Sequence, residues 1–140
     1  ESQVFSILKL ENGITGTLSV NGDSTIQDQA HFMIYGKKGI LKLSDPNTFR
    51  GDVIYLPAQK DFKDHPAPQI LNYGFSYSEN SRGLGPSEMA DAIFEKRTNR
   101  ANAELAVHVL DVIDHMVESS EKCAFVQVDS TCTRPEPMPL

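Results

Sequence analysis

Three observations predict an α+β fold, an open-faced and mostly antiparallel β-sheet with helices packed on one face. Strand patterns of period two crowd the first half of the chain, and two helical patterns fill the second half. No strand recurs between the helices to build a parallel βαβ unit, so neighbouring strands must be joined by hairpins. The helices then cover one side of the sheet and leave the other side open.

The first strand is read from Val4, Ser6, Leu8 and Leu10, which alternate with Phe5, Ile7 and Lys9. Asn12-Gly13 supplies the positive backbone angles of a tight turn, and residues 14–20 run back as the partner. On that second strand Ile14, Leu18 and Val20 line one face, while Thr15, Thr17 and Ser19 line the other. The Thr/Ser face is polar yet free of charge. A face meant for bulk water would carry Lys and Glu, so either a partner or second sheet covers it, or the residues only reflect strand propensity.

A polar connector over residues 23–30 leads into a second hairpin, residues 31–35 and 39–43 around Gly36-Lys-Lys-Gly39. Residues 52–56 give a fifth strand after Ser44-Asp-Pro-Asn47 turns the chain. Residues 57–80 hold three prolines and the aromatics Tyr73, Phe75 and Tyr77, and read as a long loop with one short strand. Pro86 and Glu88 mark the start of a helix that runs to Arg97, with Met89, Ile93 and Phe94 as its apolar stripe. A second helix spans residues 102–120, with Leu105, Val109, Val112, Ile113 and Met116 on one face. Residues 125–128 read as a last short strand, and the proline-rich stretch from Arg134 cannot be helical.

The 140 residues suit one domain of ordinary globular composition, 39% hydrophobic and 23% charged. The net charge of −6, with basic residues scattered, argues against a nucleic-acid partner. No apolar run approaches the 20 or so residues needed to span a bilayer. With two cysteines, Cys123 and Cys132, and no signal-peptide pattern, the expectation is a cytoplasmic protein with reduced thiols.

Several ordered motifs resemble one family. Glu11-Asn-Gly-Ile-Thr-Gly-Thr17, Ile34-Tyr-Gly-Lys-Lys-Gly-Ile-Leu-Lys-Leu-Ser-Asp-Pro-Asn47, Ser81-Arg-Gly-Leu-Gly85, Asn102-Ala-Glu-Leu-Ala-Val-His-Val-Leu-Asp111 and Asp129-Ser-Thr-Cys-Thr-Arg-Pro135 occur in the order seen in the C-terminal part of glucose–fructose oxidoreductase / inositol dehydrogenase / MocA family enzymes. The resemblance implies an open-faced sheet whose exposed side packs against another subunit. It also implies a parent that uses NAD or NADP on a sugar, polyol or related hydroxyl compound. In that family a Rossmann domain comes first, with a Gly-rich phosphate loop and a catalytic Glu-Lys-Pro motif. Neither motif occurs in these 140 residues, so residues 1–140 are expected to be a single C-terminal substrate-binding and oligomerisation domain, excised from its Rossmann half and inactive alone. No catalytic and no cofactor-binding residue is assigned in this chain. The expected partners are a second copy or more, through the open face with Thr15, Thr17 and Ser19, and the Rossmann domain. The alternative is a free-standing binding module with the same fold.

Other candidates are weighed from the residues. Gly83-Leu-Gly85-Pro-Ser-Glu88 begins like a dinucleotide fingerprint, but Glu88 replaces the third glycine and Pro86 removes an amide donor, so it reads as a helix start, with Glu88 at the positive end of that helix. His108, Asp111 and His115 fall at i, i+3 and i+7 on one helix, where three ligands could converge. With no fourth ligand nearby, no metal is assigned; the spacing equally suits an i, i+4 pair between Asp111 and His115. Asp111-Val-Ile-Asp-His115 also copies an Asp-x-x-x-His spacing used in the family for proton transfer, but at the wrong place in the chain, and the role is not carried over. Tyr73, Tyr77 and His65, with Asp61 and Asp64 nearby, are the candidates for a substrate pocket.

Overall fold

The computed structural model describes residues 2–23, 25, 32–44, 51–71 and 82–138. Six strands precede two helices: β1 (Gln3–Lys9), β2 (Thr15–Asn21), β3 (Phe32–Gly36), β4 (Gly39–Leu43), β5 (Val53–Pro57), β6 (Gln69–Leu71), α1 (Leu84–Glu95) and α2 (Ala103–Lys122). Every described pairing is antiparallel, in two ladders of order β1-β2 and β3-β4-β5-β6. The expected α+β class is what these elements make. The chain forms two units, one of residues 1–28 with 103–133 and one of residues 29–102 with 134–140.

In the first unit the β1–β2 turn differs from the expected two-residue form. Leu10 N–H donates to Ile14 O at 2.8 Å, and Gly13 N–H donates to Leu10 O at 2.9 Å, so Glu11, Asn12 and Gly13 make a three-residue loop. Only Gly13 takes a positive φ, of 83°. Asn12 contributes by its side chain, whose Oδ1 accepts the Ile14 N–H at 3.1 Å. The register pairs Phe5 with Ser19 and Ile7 with Thr17, so the Thr/Ser face of β2 continues onto β1 as an apolar surface.

Helix α2 runs two residues beyond its expected end. Lys122 is followed by Cys123 in the left-handed region, φ 50°. Ala124 N–H donates to Ser119 O and Cys123 N–H to Ser120 O, a Schellman closure made without glycine. The apolar stripe is rotated from the expected one: Val109 and Ile113 are about half exposed, at 49% and 48%. Leu105, Val112 and Met116 of the expected stripe are among the less exposed residues, with His108, His115 and Ser119 beside them. Residues 125–128 join no ladder, contrary to the strand pattern; side-chain bonds from α2 hold the segment that follows the helix.

In the second unit β3 and β4 meet across Lys37-Lys38, with Gly36 opposite Gly39. Gly39 has φ 148°, and a Cβ there would sit 2.2 Å from Leu56 O, so only glycine fits. The turn is tied to β5, because Lys38 O accepts the Tyr55 hydroxyl at 2.7 Å and the Ala58 N–H at 2.9 Å. Pairing places Ile34, Leu41 and Tyr55 on one face of this sheet and Tyr35, Ile40 and Leu56 on the other. Both faces are apolar, which is unusual for an antiparallel sheet with one face in water.

Helix α1 starts two residues before Pro86, at Leu84, with Gly83 as its N-cap and no side-chain cap bond. Pro86 therefore occupies the third helical position, still within the first turn where no intrahelical N–H bond is lost. This shift corrects the reading of Glu88. It lies beyond the first turn and turns inward, 7% exposed, with Leu84 and Ala92 on the same buried line. The expected stripe of Met89, Ile93 and Phe94 is exposed instead, Phe94 at 85%. The helix closes as α2 does, with Lys96 at φ 55° and its N–H and that of Arg97 donating to Ile93 O and Ala92 O.

Candidate functional site

The polar machinery of each unit is built around one carboxylate. In the second unit Glu88 Oε1 accepts from Arg97 Nη1 at 2.5 Å and Arg100 Nη1 at 2.7 Å, and Oε2 accepts the Arg100 backbone N–H at 3.0 Å. The Arg97 guanidinium foremost, then the Arg100 backbone N–H, hold its carboxyl below the usual glutamate value. Arg97 also reaches Glu95 at 2.5 Å.

At the start of α1 Pro86 offers no N–H, and Glu88, beyond the first turn, is held as a buried anion by Arg97 and Arg100.

In the first unit Asp111 plays the corresponding part. Its Oδ2 accepts the Ser130 N–H at 2.9 Å, and Ser130, through its side chain foremost and then that N–H, holds the carboxyl below the usual aspartate value. Ser130 Oγ also lies within hydrogen-bond distance of His108 Nδ1, at 2.9 Å. His115 Nδ1 donates to Asp111 O at 2.8 Å and lies 3.1 Å from Oδ1. The carbonyl bond, with Asp111, Glu118 and Asp129 adding negative potential, raises the His115 pKa.

Asp111 and His115 thus meet as the i, i+4 pair that the spacing suggested, and Ser130, which helix spacing could not reveal, joins His108 to Asp111. The cluster is a clasp for the segment after α2. Asp111 Oδ2 is taken by the Ser130 N–H, and Oδ1 lies 3.1 Å from His115 Nδ1. Among the described residues no group of three His, Cys, Asp or Glu is placed to hold a metal.

A cavity of about 410 Å³ lies in the first unit, lined by β1 residues such as Phe5 and Leu8, by Val112, His115 and Met116 of α2, and by Cys123 in the turn beyond it. Both cysteines are free thiols. Thr15, Thr17 and Ser19 are exposed along one face of β2, beside Phe5 at 75% and Ile7 at 63% exposure. His65 is exposed and bonds Gln59 Nε2 at 3.2 Å. Tyr73 and Tyr77 lie outside the described residues.

The sequence motifs, the antiparallel ladders and the two closing helices meet in one comparison. The family model for the oxidoreductase family C-terminal alpha/beta domain (Gfo/Idh/MocA) matches residues 1–128. The chain belongs to that family. No curated protein and no solved structure matches it. For this Gfo/Idh/MocA C-terminal domain, the match spans all six strands and both helices, and it ends before the proline-rich tail. Among the described residues no helix is long and apolar enough to cross a membrane.

Proposed function

We propose that this domain serves an NAD(P)-dependent oxidoreductase acting on a sugar, polyol or related hydroxyl compound, as the part that walls the substrate site and joins subunits. The match to the oxidoreductase-family domain carries this reading. Hydride transfer belongs to the nicotinamide and to a Rossmann domain of the parent, since a cofactor supplies the chemistry and the protein its orientation. The incomplete glycine fingerprint, with Glu88 where a third glycine would stand, supports assigning no cofactor contact to these residues.

The assembly half of the proposal rests on the β1–β2 face. Thr15, Thr17 and Ser19 share it with Phe5 and Ile7, a charge-poor and partly apolar strip of the kind that partners cover. In a twofold pairing one added charge meets itself or a near neighbour and is penalised twice. Sedimentation velocity at tens of micromolar should find the domain self-associated, and Thr17→Lys shifted toward monomer with unchanged circular dichroism. In parallel, calorimetric titration with NADH and NADPH should give no saturable heat. A monomeric wild type would remove the assembly role, and micromolar cofactor binding would remove the division of labour.

A further inference from the structure

We infer that the corner formed by Glu88 and Arg100 is a docking site for an extended, proline-rich segment, and that the chain's own residues 134–138 occupy it. These residues belong to the second unit, as Arg100 and α1 do.

Arg100 has two working edges. One, with its backbone N–H, is spent on the buried Glu88 carboxylate. The other faces the tail: Nε donates to Glu136 O at 2.9 Å and to Pro137 O at 3.3 Å, and Nη2 donates to Pro137 O at 3.2 Å. The Glu88 anion fixes the guanidinium plane, so the second edge is presented with little freedom left to lose.

The tail is built to meet such an edge. Pro135 and Pro137 have no N–H and a fixed φ of about −65°, and each disfavours a helical conformation in the residue before it. The segment therefore stays extended before it binds and offers carbonyls rather than donors. A planar cation with paired N–H groups is the complementary partner, and charged donors make the stronger class of hydrogen bond. Pro135 and Met138 are half-buried along the dock, while Glu136 and Pro137 lend it only backbone oxygens. Recognition thus reads extended backbone and proline spacing, with no acidic or basic side chain of the tail in a bond to Arg100.

Amide relaxation on the ¹⁵N-labelled full chain tests this. Wild-type Glu136 and Met138 should give order parameters near those of helix amides, about 0.85. Arg100→Lys keeps a cation for Glu88 but loses the fork, and should drop both tail amides below about 0.6 while α1 amides hold their values. A second variant, Pro135→Gly with Pro137→Gly, leaves the Arg100–Glu88 contact in place and should loosen the same two amides. Flexible tail amides in the wild type would overturn the inference. So would a tail that remains ordered in Arg100→Lys or in the double proline variant.

Discussion

Glu88 and Asp111 do the same job on different helices with different counter-charges. Each is a carboxylate on a helix that accepts the backbone N–H of a residue much later in the chain, Arg100 for one and Ser130 for the other. Glu88 is nearly buried and answered by two guanidiniums that stay charged at any ordinary pH. Asp111 is about a quarter exposed and answered by a serine and by His115, whose charge is not permanent. One pin is fixed; the other can be tuned.

The largest effect should come from cutting the fixed pin. Glu88→Gln keeps the shape but leaves two guanidiniums without their anion, a loss that exceeds the value of the pair itself. Its urea midpoint should fall well below that of Asp111→Asn, whose site is more solvated and loses no buried cation partner. Equal midpoints would erase the distinction between the pins.

A smaller effect should follow pH. The folded-state pKa of Asp111 is lowered, so its contribution is present above the usual aspartate value and is lost as acid titrates it. The folded-state pKa of His115 is raised, so its contribution is complete below the ordinary imidazole value of about 6.5 and is lost as pH rises through the higher folded value. The α2 pin is therefore strongest between the two, in mildly acidic solution. Glu88, lowered and paired with arginines, should be level across neutral and mildly alkaline pH. Hydrogen-exchange protection, corrected for intrinsic rates, reads this directly: Ser130 should lose protection from pH 6 to 8.5 while Arg100 does not. Parallel behaviour of the two amides would mean that His115 plays no part.

The smallest change sharpens the comparison at the helix ends. Both helices close through a left-handed residue with a side chain, Lys96 and Cys123. Glycine is released from that conformational penalty, so Cys123→Gly should gain about 1 kcal/mol in chemical denaturation, and Lys96→Gly a similar amount. A loss in either would show that the side chain contributes more than its backbone strain costs.

What the sequence could reveal followed from periodicity. The alternation around Ile7 and Thr17, the Gly36-Lys-Lys-Gly39 hairpin and the two helical runs are all local patterns, and local patterns name elements and their order. The clasp at Ser130 and the inward turn of Glu88 depend on where distant segments land, which no spacing rule carries. Residues 125–128 have strand composition but no ladder to join, so propensity misled there. Phe5 and Ile7 were visible in β1 as one face of an alternation; only the register with Ser19 and Thr17 tells which β2 face they extend.

The four-stranded sheet, apolar on both its faces, also sets a constraint on how this domain folds. Freshly made chain with Ile34 and Tyr35 pointing to opposite sides cannot hide both by folding one layer over one side. Among the described residues its short strands β3 and β6 stand at the two edges of the sheet. Such an intermediate competes between correct docking and clumping with its neighbours, a race decided by concentration and temperature. The yield of usable domain is thus set by supply: slow synthesis, dilute handling and early access to whatever layer closes the second side all favour the productive route.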